Sequence, residues 1–578
     1  MLALTGAQAL VRVLQAEQVG FMFGIVGGKL APLLHAVSQQ SSIRFVGVRH
    51  EAAAPMMAAA VHAGSGGMAV AVGEMGPGGL NLASGMGVAF NNNLPLLAIT
   101  TNQHRAASYP HSGMFMDMDT RAVMAPLTKW NAVVNDGRRM PELARRAFRE
   151  ALGGRPGPVH LDVPQDVLSA TCEFADDEFD LGPARYRALL GPRPAAESVA
   201  QAVALLRAAK RPLIVAGGGV VASGAAEAVR ALAEMLRAPV VPTQMALGVV
   251  PSSSPHFIGH GGIIAGQAIK TVFEEADVIL NIGCRYSSWM WDERGPLARR
   301  LHRLININVD ASSLGAPALH EVAMVADAGL ALADLLTELG AAGSFAVEVG
   351  WLGRMRAVRA AYDTALAAMA RSEPGDVAGE PMHPAALAQV IAQALPADAM
   401  AVYDGGHTTF WSNDFTPVHD VRTRFHEPGM SHLGFGLPYA LALKLLRPDK
   451  AVFNITGDGS FGFTLQELDT ARRSGLAVVT VIHNNASWGI IRTGQRTQLD
   501  FEMGTSLEGT DYAAIARGFG CFGETVTRSQ DVAPAIGRAL ASGLPAVLDC
   551  RTRFVSHPAS PMFGSMNRYG FEALTRVK

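Results

Sequence analysis

Twelve short apolar runs punctuate the chain, each closed by or soon followed by Gly, Asp or Asn: "FMFGIV", "IRFVGV", "MAVAVG", "LPLLAIT", "GPVHLDV", "PLIVAG", "DVILNIG", "LININVD", "MAVYDG", "AVFNIT", "LAVVTVIH" and "PAVLDC". Segments of helical length and periodicity separate them. Continuous apolar runs of this length predict parallel strands covered on both faces. Their alternation with helices predicts an α/β doubly wound architecture, used more than once. At the N-terminus, Thr5 reads as the cap of an amphipathic helix that turns Leu10, Val13 and Leu14 inward. Two stretches break the rhythm. "CEFADDEFDLGPARYRALLGPRPAAES" (172–198) is polar and poorly periodic, and "ARSEPGDVAGEPMHP" (370–384) is rich in Pro, Gly and acid; both read as linkers. The expected domains are therefore 1–175, 190–345 and 375–560, with 561–578 as a C-terminal tail or lid.

Size and composition narrow the picture without adding chemistry. A chain of 578 residues exceeds a single core. With 49% apolar and 17% charged residues it is a folded protein, and its net charge of −2 argues against a nucleic-acid or membrane-surface partner. No apolar stretch approaches the roughly 20 residues of a membrane span. Cys172, Cys284, Cys521 and Cys550 are scattered, without CxxC or metal-ligand spacing, which fits free thiols in a reducing cytoplasm.

The chemistry concentrates in "AVFNITGDGSFGFTLQELDTARRSGLAVVTVIHNNASWGI" (451–490). Asp458, between Gly457 and Gly459, follows one strand; Asn485 follows the next. In a parallel sheet both strand ends share one rim, the rim where open α/β sheets bind ligands. A helix expected to start near Ser460–Thr464 would offer N–H groups to a phosphate. A carboxylate, an amide oxygen, a main-chain carbonyl and phosphate oxygens make a hard octahedral shell suited to Mg²⁺.

"GDGS", a helical stretch, then "NN" resembles the diphosphate motif of the thiamine diphosphate-dependent decarboxylases and carboligases. The resemblance implies Mg²⁺ on Asp458, Asn485 and the carbonyl of Ser487, with Gly457, Gly459, Ser460, Gly489 and Ile490 around the diphosphate. "YDGGHTTFW" supplies the second diphosphate loop, Gly406, His407 and Thr408. In "MSHLGFG", Leu433 matches the apolar residue that bends the coenzyme, and the Ser431 carbonyl matches the acceptor of its 4′-amino group. Glu51, after "IRFVGVRH", matches the glutamate that shares a proton with the pyrimidine ring. In this family that glutamate serves a partner chain, so the resemblance implies a homodimer or homotetramer.

The substrate side is less fixed. Acetolactate-synthase-like carboligases carry Gln where this chain has Met116; benzoylformate-decarboxylase-like relatives carry Ser at Gly28 and His at Glu74. Glu74 reads as an acid or base on the substrate oxygen, or as a cap of its own turn. Gly28, Met116 and Trp488 are expected to line the substrate pocket and His432 to act in it. A 2-oxo acid or aldehyde is the expected substrate. An acyl-CoA, as for 2-hydroxyacyl-CoA lyase or oxalyl-CoA decarboxylase, is the alternative, and a non-catalytic thiamine diphosphate binder a third reading. Gly217–Gly219 after "PLIVA" lack GxGxxG spacing, so FAD or ADP in the central domain is an option and a catalytic flavin is not expected.

Overall fold

All twelve apolar runs are strands in the computed structural model, which describes residues 1–108, 113–262, 267–287, 290, 302–315, 319–341, 343–372 and 381–560. The expected tail or lid, 561–578, lies outside the described residues. The strands are β1 Leu2–Thr5, β2 Phe21–Gly24, β3 Arg44–Gly47, β4 Val70–Gly73, β5 Leu97–Asn102, β6 Trp130–Val133, β7 Val159–Pro164 and β8 Thr171–Phe174. There follow β9 Pro212–Ala216, β10 Val240–Pro242, β11 Val278–Ile282, β12 Arg303–Asn308 and β13 Val322–Val325. The last set is β14 Met400–Asp404, β15 Arg424–His426, β16 Val452–Gly457, β17 Val478–Asn484, β18 Phe522–Val526 and β19 Ala546–Arg551.

They form three α/β sheets, ordered β3-β2-β4-β5-β7-β6, β10-β9-β11-β12-β13 and β15-β14-β16-β17-β19-β18, plus the antiparallel pair β1-β8. The three sheets are parallel, as the buried character of their central strands requires. Val70, Val72, Leu97 and Ile99 have no solvent exposure. At about 1.5–3 kcal/mol for each such side chain, the helices on both faces hold these sheets together.

The chain groups into two compact units. One comprises 1–190 with 429–449 and 463–478; the other comprises 191–428, 450–462 and the described residues from 479. In the first, the helix Gly6–Ala16 starts as expected. Thr5 Oγ1 accepts from Gln8 N–H (3.2 Å), Gln8 Oε1 accepts from Thr5 N–H (2.9 Å), and Leu10, Val13 and Leu14 are buried. The helices Gly436–Leu446 and Glu467–Ser474 also belong to this unit, Leu443 lying against Gly64 of the helix Ala53–Ser65.

The stretch 172–198 is not a plain linker. It opens inside β8, which pairs with β1, and the Glu17 carboxylate then binds Tyr186 Oη (2.7 Å) and Arg187 Nη2 (2.8 Å). A polar, aperiodic sequence hid a segment held by one ladder and several ion pairs, Arg187 with Glu17 and Arg145 with Glu178 among them. No described helix is long and apolar enough to cross a membrane.

Candidate active site

Three loops at the carboxyl end of the third sheet converge within one unit. After β16 the chain enters a short helix at Asp458–Gly462, beginning at the carboxylate itself rather than at the expected Ser460–Thr464. Asp458 Oδ1 accepts from Gly459 N–H (3.0 Å) and Oδ2 from Ser487 N–H (3.2 Å). Tyr512 Oη donates to the Asp458 carbonyl (3.0 Å). Burial raises the Asp458 carboxyl to about 6, against those stabilising amides.

After β17, Asn484 and Asn485 separate in role. Asn484 Nδ2 donates to Asp549 (2.8 Å) and its oxygen accepts from Ala486 N–H (3.2 Å). Asn485 Oδ1 is buried with no partner. Ala486 takes a left-handed φ of +50°, which turns the chain toward Ser487. The Ser487 carbonyl accepts from Gly489 N–H (2.8 Å), and its hydroxyl donates to the Thr505 carbonyl (3.0 Å).

After β14, Gly406, His407 and Thr408 approach these loops. Gly406 lies against Ile490, Thr408 Oγ1 beside Gly457, and His407 Nδ1 beside Gly489. His407 is buried and its imidazole pushed down to about 3 by that burial; Nε2 bonds Ser560 Oγ (2.7 Å) while Nδ1 has no partner. Trp488 lies over Gly459, where a Cβ would come within 2.4 Å of its ring, so only glycine fits there.

This arrangement suits a metal-bridged diphosphate. Among the described residues no three His, Cys, Asp or Glu side chains cluster, so a cation here draws on one carboxylate, an amide oxygen and main-chain oxygen. That is the donor set of Mg²⁺ completed by ligand phosphates. The unpartnered Asn485 Oδ1 and His407 Nδ1 are an acceptor and a ring nitrogen lacking ligands of their own.

The other expected residues belong to the first unit. Glu51 follows β3, and Asn81 Nδ2 donates to its Oε2 (2.9 Å). Glu74 spends one oxygen on a neighbouring turn and one on β5: Oε2 accepts from the N–H groups of Lys29 (3.0 Å) and Leu30 (3.3 Å), Oε1 from Thr101 Oγ1 (3.2 Å). It caps the turn ahead of the helix Ala31–Ser38, not the turn "GEMGPGG". Gly28 is exposed with open space at its Cβ. Met116 has φ +63° and its carbonyl crowds Gly76; Gln103 Nε2 holds the Phe115 carbonyl (2.8 Å).

Ser431 also sits in the left-handed region, φ +53°, ahead of half-buried Leu433. His432 is engaged through both ring nitrogens, with Ser84 Oγ at 2.5 Å from Nε2 and the Leu433 carbonyl at 2.7 Å from Nδ1. Burial lowers its pKa. Asn81, Ser84, Tyr512 and Ser560 escaped sequence reading. Of these, only Asn81, in "GPGGLNL", sits in a motif that could have flagged it.

Known proteins carry the same three-part plan. The thiamine pyrophosphate enzyme N-terminal TPP binding domain matches residues 4–123, the central domain 199–335 and the C-terminal TPP binding domain 404–550. The acetolactate synthase large subunit of Corynebacterium glutamicum is 30% identical over 544 residues, covering 93% of this chain and 84% of its own. The acetolactate synthase isozyme 1 large subunit of Escherichia coli is 30% identical, with 89% and 88% covered. The acetolactate synthase of Mycobacterium bovis is 29% identical, with 94% and 88% covered. The chain belongs to the thiamine diphosphate-dependent decarboxylase and carboligase superfamily. It is an enzyme that uses thiamine diphosphate to make or break a carbon–carbon bond beside a carbonyl.

Proposed function

We propose an acetolactate-synthase-like carboligase that holds thiamine diphosphate through Mg²⁺, decarboxylates a short 2-oxo acid such as pyruvate and passes the retained acyl unit to a second carbonyl compound. The observation that carries this is the rim of β16 and β17, where Asp458 faces the Ser487 amide and the Asn485 amide oxygen is buried without a partner. The relatives' names favour a free 2-oxo acid over an acyl-CoA thioester.

Asp458, Asn485 and the Ser487 carbonyl would hold the cation. Gly406, His407, Thr408, Gly457, Gly459, Ser460, Gly489 and Ile490 would surround the diphosphate. Bound thiamine diphosphate supplies a carbon nucleophile that also stores the electron pair released when the neighbouring bond breaks. Glu51 shares a proton through its free Oε1 while Asn81 keeps Oε2 in place. Leu433 would support the coenzyme ring and the Ser431 carbonyl would accept from its amino group. His432, already bonded to Ser84, shapes the pocket, and Glu74 positions the Gly27–Leu30 turn rather than moving a proton. Met116 and Trp488 make the substrate side apolar, which selects small or apolar acceptors.

The enzyme acts as a cytoplasmic homodimer or homotetramer whose Glu51 serves a second copy of the chain. In the central domain the Gln244 amide, buried with neither end bonded, is the group that would meet a nucleotide, FAD or ADP, held there for structure.

The test is a substrate panel with saturating thiamine diphosphate and Mg²⁺, following carbon dioxide, hydroxyketone products and thioester cleavage together. Coenzyme- and Mg²⁺-dependent loss of pyruvate with acetolactate formation is expected, and Asp458→Asn should abolish it. Turnover of acyl-CoA with pyruvate untouched would sink the assignment. Flavin absorption of the same preparation distinguishes FAD from ADP.

A further inference from the structure

Glu467 takes no part in the groups assembled above, yet its carboxylate is fully buried and completely used. It opens the helix Glu467–Ser474. Oε1 accepts from the main-chain N–H of Arg49 (3.1 Å) and of His50 (3.0 Å). Oε2 accepts from Arg49 N–H (3.1 Å) and from Thr470 Oγ1 (2.6 Å). Both oxygens act only as acceptors, which is the work of an ionised carboxylate. Burial opposes that charge and raises the Glu467 pKa; the hydroxyl and the two amides act the other way.

Arg49 and His50 are the two residues before Glu51. They lie between the end of β3 at Gly47 and the helix that starts at Ala53, where no strand ladder holds their amides. The same helix grips this segment again, Arg473 Nη2 donating to the Gly47 carbonyl (2.9 Å). A buried carboxylate is an expensive way to tie a loop. Here it fixes the backbone immediately ahead of the one acid whose direction the chemistry needs, and Asn81 fixes that acid's side chain from the other end.

We propose that Glu467 is a positioning residue for the reaction: it locks Arg49 and His50 so that Glu51 presents its carboxyl to the coenzyme at the working angle. The inference rests on the reading of Glu51 as the acid that shares a proton with the coenzyme. Gln cannot replace Glu467, because its NH₂ would face a main-chain N–H or the Thr470 hydroxyl in place of an acceptor.

Two readouts test it. In coenzyme-free protein, Glu467→Gln should speed amide hydrogen exchange at Arg49 and His50 by about tenfold or more. In coenzyme-saturated holoenzyme, it should slow deuterium exchange at the thiazolium C2 about tenfold while KM for the 2-oxo acid moves by less than about twofold. In a Glu51→Gln background, adding Glu467→Gln should slow C2 exchange no further. Wild-type C2 exchange in Glu467→Gln alongside slow exchange in Glu51→Gln overturns the proposal, as does an equal further loss in both backgrounds. Wild-type exchange in Glu51→Gln would remove the reading beneath it, and the proposal with it. Should Glu467→Gln fail to fold, Thr470→Val removes the hydroxyl that orients Oε2 and that also reaches the Gly47 carbonyl (3.4 Å) of the same segment. A smaller slowing of C2 exchange is then expected, and none would overturn the proposal.

Discussion

Asn484 and Asn485 are adjacent, identical in type and opposite in energetics. Asn484 is satisfied: it gives to Asp549 and takes from Ala486 N–H, tying the end of β17 to β19. Asn485 carries a buried amide oxygen with no partner, a cost of about 1–3 kcal/mol that the proposed cation would relieve. Asn485→Ala should therefore leave the metal-free protein as stable as wild type or up to about 1 kcal/mol more so, while weakening Mg²⁺-dependent coenzyme binding about tenfold or more. Asn484→Ala should lower stability with or without ligand. Thermal unfolding with and without Mg²⁺ and coenzyme checks both, and a stability loss confined to Asn485→Ala would reverse the assignment. At this scale the sequence shows what a local motif can show. Asp458 and Asn485 announce themselves because strand, turn and acid are contiguous. Glu467 and Tyr512 do not, because their partners are brought together only by the fold, Arg49 across hundreds of residues and the Asp458 carbonyl across a sheet rim.

Among elements, the helix Pro77–Asn91 organises the first unit's site. It carries Asn81, bonded to Glu51, and one turn later Ser84, bonded to His432. Gly85 sets how near it comes to the start of the helix Ala53–Ser65: a Cβ there would fall 2.2 Å from the Ala52 carbonyl and 3.1 Å from Pro55. Backbone cannot yield as a flexible side chain does, so Gly85→Ala must push the two helices apart. We expect a loss of about 1–3 kcal/mol, and a fall in kcat larger than the change in folded fraction because Asn81 moves with its helix. Urea unfolding combined with steady-state kinetics on the same variant checks it; unchanged kcat would show that the helix spacing does not set Glu51. Elements also show where sequence reading stops. The twelve legible strands include every central strand of the three sheets, whereas β6, β10, β13, β15 and β18 were not foreseen, and all five are sheet edges. An edge strand can be less covered or simply short: β6 is nowhere fully buried, whereas β10 and β15 are buried but span only three residues each. The apolar run that betrays a central strand needs both length and cover, and each of these five edges falls short in one or the other.

Across the whole molecule, burial of histidine sets the response to acid. His160, His260, His407 and His483 are held to about 3, and His426 to about 4, with desolvation the first cause in every case. In the unfolded chain each would titrate near 6.5. Below that value the unfolded state binds protons that the folded state refuses, so stability falls as pH falls, by about 1.4 kcal/mol per pH unit for each such histidine. The buried carboxyls have the opposite sign. Asp458 is raised to about 6, so its folded carboxyl gains a proton before the unfolded one does and returns some stability between about 6 and 4; burial shifts Glu467 and Asp549 in the same direction. The melting temperature of the coenzyme-free protein should therefore be nearly flat from pH 8 to 7, turn down sharply below 6.5, and fall less steeply once the carboxyls protonate. His160→Gln, which replaces a buried imidazole bonded to Thr100, should reduce the acid-side slope by about one proton even where it lowers stability at pH 8. A melting temperature independent of pH between 7 and 5 would show that these imidazoles take up protons in the fold, and that the cores around them open to water.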